Sequence, residues 1–305
     1  MTFILHQGLI NIHLILKLLK KNIEIAYPNR SKSDIQILSK LSLKESFLSG
    51  YESIYSWGSS EFESNDNLLC VENNFLLNNL KQNGLIAVSF HNRSVDMLLT
   101  WMNSQHTTVS LYKKIKNNAL NYFVKSKRES GNSKCYETNI GGVRHLYKAL
   151  QDKKIVCFAA DQVPKRGHGE HIEFFNVKAY STTLVQSLAS KSKAPVIYFY
   201  IQSNQNRNLK VKIKSCHDGI YNDSKCKLLV NRDIENFINE RPSDYSWEYK
   251  RFKRSKNLPN DPYENISSYF DQNIGVKITN KVKISRRPSS IANANIPLVD
   301  ELISE

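Results

Sequence analysis

A chain of 305 residues with 43 Lys and Arg against 28 Asp and Glu carries a net charge of +15. That excess calls for an anionic partner, whether phospholipid, phosphorylated glycolipid, acidic protein or nucleic acid, and the length allows one large domain with a full core. The five cysteines (70, 135, 157, 216, 226) form no C-x-x-C pair and are odd in number. They indicate neither a disulfide framework nor a zinc site, so a reducing compartment is expected.

Residues 1–32 form the first segment. Phe3 to Leu19 is rich in Ile and Leu but is interrupted by His6, Gln7, Asn11, His13 and Lys17. It is too short and too one-sided to span a bilayer, and it lacks the basic leader and cleavage site of a signal peptide. An amphipathic helix lying in the membrane interface is expected, with Lys20 and Lys21 near headgroups. The alternative is a helix packed on the protein's own core.

Leu43, Phe47, Tyr51, Ile54 and Trp57 recur every three or four places, which predicts a helix over about 33–58. A polar gap separates it from a second helical stretch over 68–81. An α/β alternation follows. Strands are expected over 85–90, 107–112, 155–160 and 195–202, with helices near 94–104, 117–130, 142–151 and 181–192. Leu209 to Lys214 alternates apolar and basic residues, which predicts a half-exposed antiparallel strand. A last helix over 223–240 is stopped by Pro242. The pattern gives an α/β fold, one domain over 33–256 with a largely parallel sheet flanked by helices. Residues 257–305 form an irregular tail.

The chemistry concentrates where strands end. His91-Asn92-Arg93-Ser94-Val95-Asp96 follows the strand at 85–90. In one continuous helix, residues five apart lie roughly 140° from each other, so His91 and Asp96 meet only if His91 lies in a turn before the helix. Ser94 suits an N-cap, which puts Asp96 in the first helical turn. There Asp96 is either the partner of the histidine or a complement to the helix dipole. Three further groups occupy comparable positions: Lys125 to Gly131 with Arg128, Asp161-Gln162 after the strand at 155–160, and Glu173-Phe174-Phe175-Asn176. His168 and His171 lack a third ligand nearby and are not read as a metal site.

In this order and at these spacings the groups resemble the lipid A biosynthesis acyltransferase family. The resemblance covers roughly residues 20–256. It runs through Lys21-Asn22-Ile23-Glu24 with Ala26-Tyr27-Pro28, the His-x4-Asp box, Tyr112-Lys113, Arg128 with Gly131 and Gly142-Val143-Arg144. It continues through Asp161-Gln162, Phe174-Phe175 and Ala179-Tyr180-Ser181, and ends on Trp247-Glu-Tyr-Lys-Arg251-Phe252-Lys253. The chain departs from the family's pattern in its shorter N-terminal apolar segment, in Val163-Pro164-Lys165-Arg166 after Asp161-Gln162, and in Asn176 where Gly commonly follows Phe-Phe. Asn tolerates the same left-handed backbone.

The resemblance implies an O-acyltransferase of the glycerolipid-acyltransferase-like fold that needs no cofactor or metal. It would move a fatty acyl chain from an acyl-carrier-protein thioester to a hydroxyl of a phosphorylated glycolipid, a lipid A precursor. It implies His91 as general base, Asp96 orienting the imidazole and Arg128 binding a phosphate or the oxyanion. Asn92, Arg93, Asp161, Gln162, Phe174 and Phe175 would shape the substrate site. The implied location is the cytoplasmic face of the bacterial inner membrane. The His-x4-Asp box also suits an acyltransferase for another lipid, such as a lysophospholipid. A different class, a non-enzymatic basic module on membranes or nucleic acid, would make His91 and Asp96 dispensable. The dispersed Lys and Arg carry no nucleic-acid signature, and no nucleic-acid partner is expected.

Overall fold

The computed structural model describes residues 12–58, 70–204, 206, 208–221, 226–258, 261–264 and 266. Strands β1 (Cys70–Glu72), β2 (Leu85–Ser89), β3 (Thr108–Tyr112), β4 (Lys134–Glu137), β5 (Ile155–Ala159), β8 (Val196–Ser203) and β9 (Leu209–Ser215) form one sheet in the order β1-β9-β8-β2-β5-β3-β4. Every neighbouring pair is parallel except β8 with β9. The antiparallel strand expected at Leu209 is therefore present, with the short β1 beside it. β6 (Gly169–Phe174) and β7 (Val177–Thr182) make a separate hairpin.

β2 and β8 are buried along their whole length, and β5 nearly so. A strand covered on both faces needs no polar alternation, which is why all three stand out in the sequence as apolar runs. Eight helices are described: α1 (Ile12–Ala26), α2 (Lys32–Gly58), α3 (Asn74–Leu80), α4 (Val95–Gln105), α5 (Asn118–Arg128), α6 (Ile140–Gln151), α7 (Leu184–Ser192) and α8 (Cys226–Glu240). The helix expected over 68–81 is shortened to α3, because Cys70–Glu72 pairs with β9. The helix expected from 181 starts at Leu184, since Ser181 and Thr182 belong to β7.

The start of the first expected helix lies outside the described residues. In α1 the apolar stripe faces inward: Leu14, Leu19 and Ile23 are fully buried, and the helix packs on α2. Asn22, also sealed, donates to the carbonyls of Trp247 and Tyr249 at 2.6 and 2.9 Å and accepts from the Tyr263 hydroxyl. Over residues 12–26 the apolar side thus has protein partners to bury against. Among the described residues no helix is long and apolar enough to cross a membrane.

The sheet carries a topological switch. From β2 the chain crosses past the position of β5 to β3, whereas from β5 it returns past β2 to β8. Connections leaving two adjacent strands in opposite directions open a crevice at their carboxyl ends, where ligands bind in such sheets. His91 follows β2 there, and Asp161 follows β5.

Candidate active site

The register of two parallel strands sets up the site. β2 and β5 pair Leu85 with Ile155 and continue in step to Ser89 with Ala159. Two residues further on, the same offset places His91 opposite Asp161. The imidazole Nδ1 lies 2.7 Å from Asp161 Oδ1, and the His91 amide donates to Oδ2 at 3.2 Å. The Tyr245 hydroxyl donates to that same Oδ2 at 3.1 Å.

Asp161 is only 2% exposed. Burial works against its charge, but the imidazole facing it and the two bonds from His91 outweigh that, and its pKa lies below the usual carboxylate range. Burial pushes the Tyr245 phenol well upward, with the Asp161 charge adding to the effect, so this hydroxyl remains a donor. A buried carboxylate kept ionised accepts the Nδ1 proton, which leaves Nε2 of the neutral ring with its lone pair. The Gln162 amide nitrogen lies 3.0 Å from that Nε2, and an amide NH2 there donates to it. The His91 side chain keeps 29% of its surface open, so the ring is reachable while its carboxylate is sealed.

Asp96 has a different partner from the one the sequence suggested. Ser94 caps α4 as expected, accepting from the Met97 amide at 3.0 Å, and Asp96 lies in the first turn. Its carboxylate receives the Arg128 guanidinium as a fork, Nε to Oδ1 at 2.6 Å and Nη2 to Oδ2 at 3.1 Å. The imidazole nitrogens are engaged by Asp161 and Gln162, so the carboxylate bonded to the ring is that of Asp161 and not that of Asp96. The physical reason is the strand register, which delivers Asp161 directly beside the ring. Burial lowers the Arg128 pKa, but attraction to Asp96 more than restores it, so the cation is permanent.

Other expected substrate contacts are turned inward. Asn92 is 1% exposed and donates to the Ile201 carbonyl at 2.8 Å. Arg93 sits at φ +54° with its guanidinium between the carboxylates of Glu45 and Glu52 of α2. Phe174 and Phe175 are buried as well. Arg251 stands 4.5 Å over the Phe174 ring, and Phe175 meets Tyr27 edge-on at 5.3 Å. Phe175 and Asn176 both have positive φ and form the two-residue turn of the β6–β7 hairpin, so the left-handed geometry expected of Asn176 is present. The side chains of Asn92, Arg93, Phe174 and Phe175 are all buried against partners within the protein.

The residues just before the C-terminal signature back the site from behind. The Ser246 amide donates to the His91 carbonyl at 2.9 Å, the Arg93 amide donates to the Asp244 carbonyl at 2.9 Å, and Asn92 bridges to Tyr245. Arg251, 1% exposed, donates to the Tyr180 carbonyl and the Ser181 hydroxyl. Tyr245 went unnoticed in the sequence; its only signal was its place two residues before the Trp247 signature.

A cavity of about 260 Å³ lies further along the sheet edge, lined by Tyr112, Lys125, Tyr136, Asn139 and His145 among others, and neither His91 nor Asp161 borders it. Beside it Gly142 tolerates no side chain, since a Cβ would stand 2.1 Å from the Glu137 carbonyl oxygen. The His91–Asp161 pair, by its geometry, is the better candidate for chemistry.

A family model described as bacterial lipid A biosynthesis acyltransferase matches residues 15–254 of the chain. No curated protein matches it. The matched stretch contains every group of the site, from the helix that carries Asn22 to the loop that carries Tyr245.

Proposed function

Because the chain belongs to the bacterial lipid A biosynthesis acyltransferase family and is an O-acyltransferase acting in lipid A synthesis, we propose that His91 is its general base, that Asp161 orients it, and that the acyl donor is an acyl-carrier-protein thioester. The observation that carries this reading is the Nδ1–Asp161 bond, which leaves Nε2 with a lone pair at the switch point.

An alcohol is a weak nucleophile at neutral pH. Nε2 removes the acceptor's hydroxyl proton as the oxygen attacks the thioester carbonyl carbon. The Gln162 amide already marks a position within hydrogen-bond reach of Nε2, and the acceptor hydroxyl takes over that place. The tetrahedral oxyanion then collapses: the C–S bond breaks, the new C–O ester remains, and the leaving thiolate takes the proton from the imidazolium. Asp161 stabilises that imidazolium without itself taking the proton, as in a hydrolase triad, but no enzyme nucleophile and no acyl-enzyme are needed.

Arg128, anchored by Asp96, supplies a permanent cation for a phosphate of the acceptor or for the oxyanion. The chain's basic excess favours both an acidic carrier protein and an anionic lipid. The cytoplasmic face of the inner membrane is the location at which this donor and this acceptor meet.

The test uses a detergent-dispersed lipid A precursor and a radiolabelled acyl-carrier protein. Label moves to the lipid with the wild type and fails to move with His91→Ala. Equal transfer by both proteins would sink the base assignment. Transfer from acyl-CoA alone would sink the assigned donor.

A further inference from the structure

The second helix is built inside out. α2 buries Ser39, Ser42, Glu45, Ser46, Glu52, Ser53 and Ser56, with only Ile35, Leu38 and Trp57 as apolar buried residues. Its outward face carries Ile37, Leu41, Phe47, Tyr51 and Ile54, from 42% exposed at Phe47 to 67% at Tyr51. Scattered exposed hydrophobes are ordinary, but five along one face of a helix about 40 Å long form a stripe. The polar inward face is engaged: Ser53 bonds Ser94 at 2.6 Å, Ser42 donates to the Tyr245 carbonyl, and Glu45 and Glu52 hold Arg93. The helix therefore has no freedom to turn its apolar side inward.

A second helix adds exposed aromatic residues beside the end of α2. Trp57, at the end of α2, meets Phe123 of α5 edge-on at 5.8 Å. Phe123 and its neighbour Tyr122 are both exposed, Tyr122 to 77%. Lysines accompany the apolar residues: Lys127 stands 5.8 Å over the Phe123 ring, and Lys40 and Lys44 lie on α2 among Ile37, Leu41 and Phe47. Exposed aromatics and aliphatics interspersed with lysines match the boundary of an anionic bilayer, where rings sit at headgroup level and ammonium groups meet phosphates.

We propose that the outward face of α2, extended by the Tyr122–Phe123 end of α5, is the surface by which this enzyme rests on an anionic phospholipid bilayer. The proposal rests on the reading that the acceptor is a membrane lipid. It adds a place and an orientation: α2 lies in the interface plane, and the His91–Ser94 turn, bonded to its inner side, stands about one helix diameter, roughly 10 Å, above the lipid surface. An acceptor then reaches His91 with its head raised and its chains still in the bilayer.

The experiment is flotation of the full chain with phosphatidylcholine vesicles, with and without phosphatidylglycerol. Wild type partitions onto the anionic vesicles. Leu41→Ser/Tyr51→Ser/Ile54→Ser, on an exposed face, keeps the thermal midpoint but partitions at least about tenfold less. Lys40→Gln/Lys44→Gln loses about fivefold per lysine, on anionic vesicles alone. In a separate variant, Tyr51→Trp, emission moves to shorter wavelength on vesicle addition. Binding by the triple variant equal to wild type overturns the proposal and assigns the anchor to another segment. A wild-type dimer that the triple substitution dissociates, with vesicle binding unchanged, also overturns it and makes the face a contact between copies. Transfer in detergent is read separately, so failure of the acyl-transfer reading and failure of the docking face give different results.

Discussion

Asp161 and Asp96 are both nearly sealed from solvent, and each faces a single nitrogenous partner, yet the pairs differ in what they let move. Asp161 holds an imidazole whose second nitrogen stays reachable. Asp96 holds a guanidinium by two bonds, a cation that keeps its proton throughout. The first pair suits proton transfer and the second suits a fixed charge. Sequence order gave Asp96 the nearer claim on His91, but sheet register gave the contact to Asp161.

The largest effects should come from the first pair. His91→Ala lowers kcat about 10²–10⁴-fold, read by single-turnover label transfer. Asp161→Asn removes the acceptor that fixes the tautomer, and a loss on the order of 10³–10⁴ in kcat is expected, with KM little changed, by analogy with hydrolase triads. If Asp96→Asn matched that kcat loss while Asp161→Asn stayed active, the roles assigned here would be reversed.

The second pair should respond in binding and stability. Arg128→Met leaves Asp96 buried without its partner, which costs about 3 kcal/mol in denaturant unfolding and raises KM for a phosphorylated acceptor. Arg128→Lys restores the charge but not the fork, so it recovers part of the stability and little of the affinity.

Smaller effects sharpen the contrast. Tyr245→Phe removes one bond to Asp161 and should cost about 1 kcal/mol, or about fivefold, in turnover. Acid stability tests the Asp161 carboxylate directly. Its folded pKa lies below the unfolded value of about 3.9. The stabilisation is therefore complete above that value and lost as pH falls through the folded pKa. Thermal midpoints recorded from pH 6 downward should fall below about pH 4 in the wild type and fall less steeply in Asp161→Asn.

Much of this fold was legible because its central strands are covered on both faces. Leu85–Ser89, Ile155–Ala159 and Val196–Ser203 announce themselves as apolar runs, and Ser94 announces α4. β4 was hidden because it is a short edge strand, Lys134 to Glu137, with mixed polarity. The β6–β7 hairpin was hidden because its turn is Phe175-Asn176, an aromatic residue at φ +50° that no turn rule anticipates. Tyr27, Phe174 and Trp247, which surround that ring, hold it there.

His91, Asp161 and Gln162 were singled out from sequence, but their pairing and the part of Tyr245 were not. Two strands, β3 and β4, intervene between His91 and Asp161 in the chain, so the neighbouring positions of β2 and β5 cannot be read along it. Arg93 misled for another reason. A basic residue beside a histidine at a strand end suggests a ligand contact, whereas two glutamates from α2 hold its guanidinium.

Asn22 carries a consequence for how the chain is made. Its side chain closes on Trp247, 225 residues later in the sequence. At roughly 5–20 residues per second, about 11–45 s of synthesis separate the emergence of these partners. Until then the apolar stripe of α1 lacks part of its cover, while the ribosome is still adding the second half of the sheet. A nascent chain in that interval presents Leu14, Leu18, Leu19 and Ile23 to whatever it meets first, a chaperone or a bilayer surface. The bond from Tyr245 to Asp161 and the contact of Trp247 with the first helix both depend on the same late-made stretch of chain.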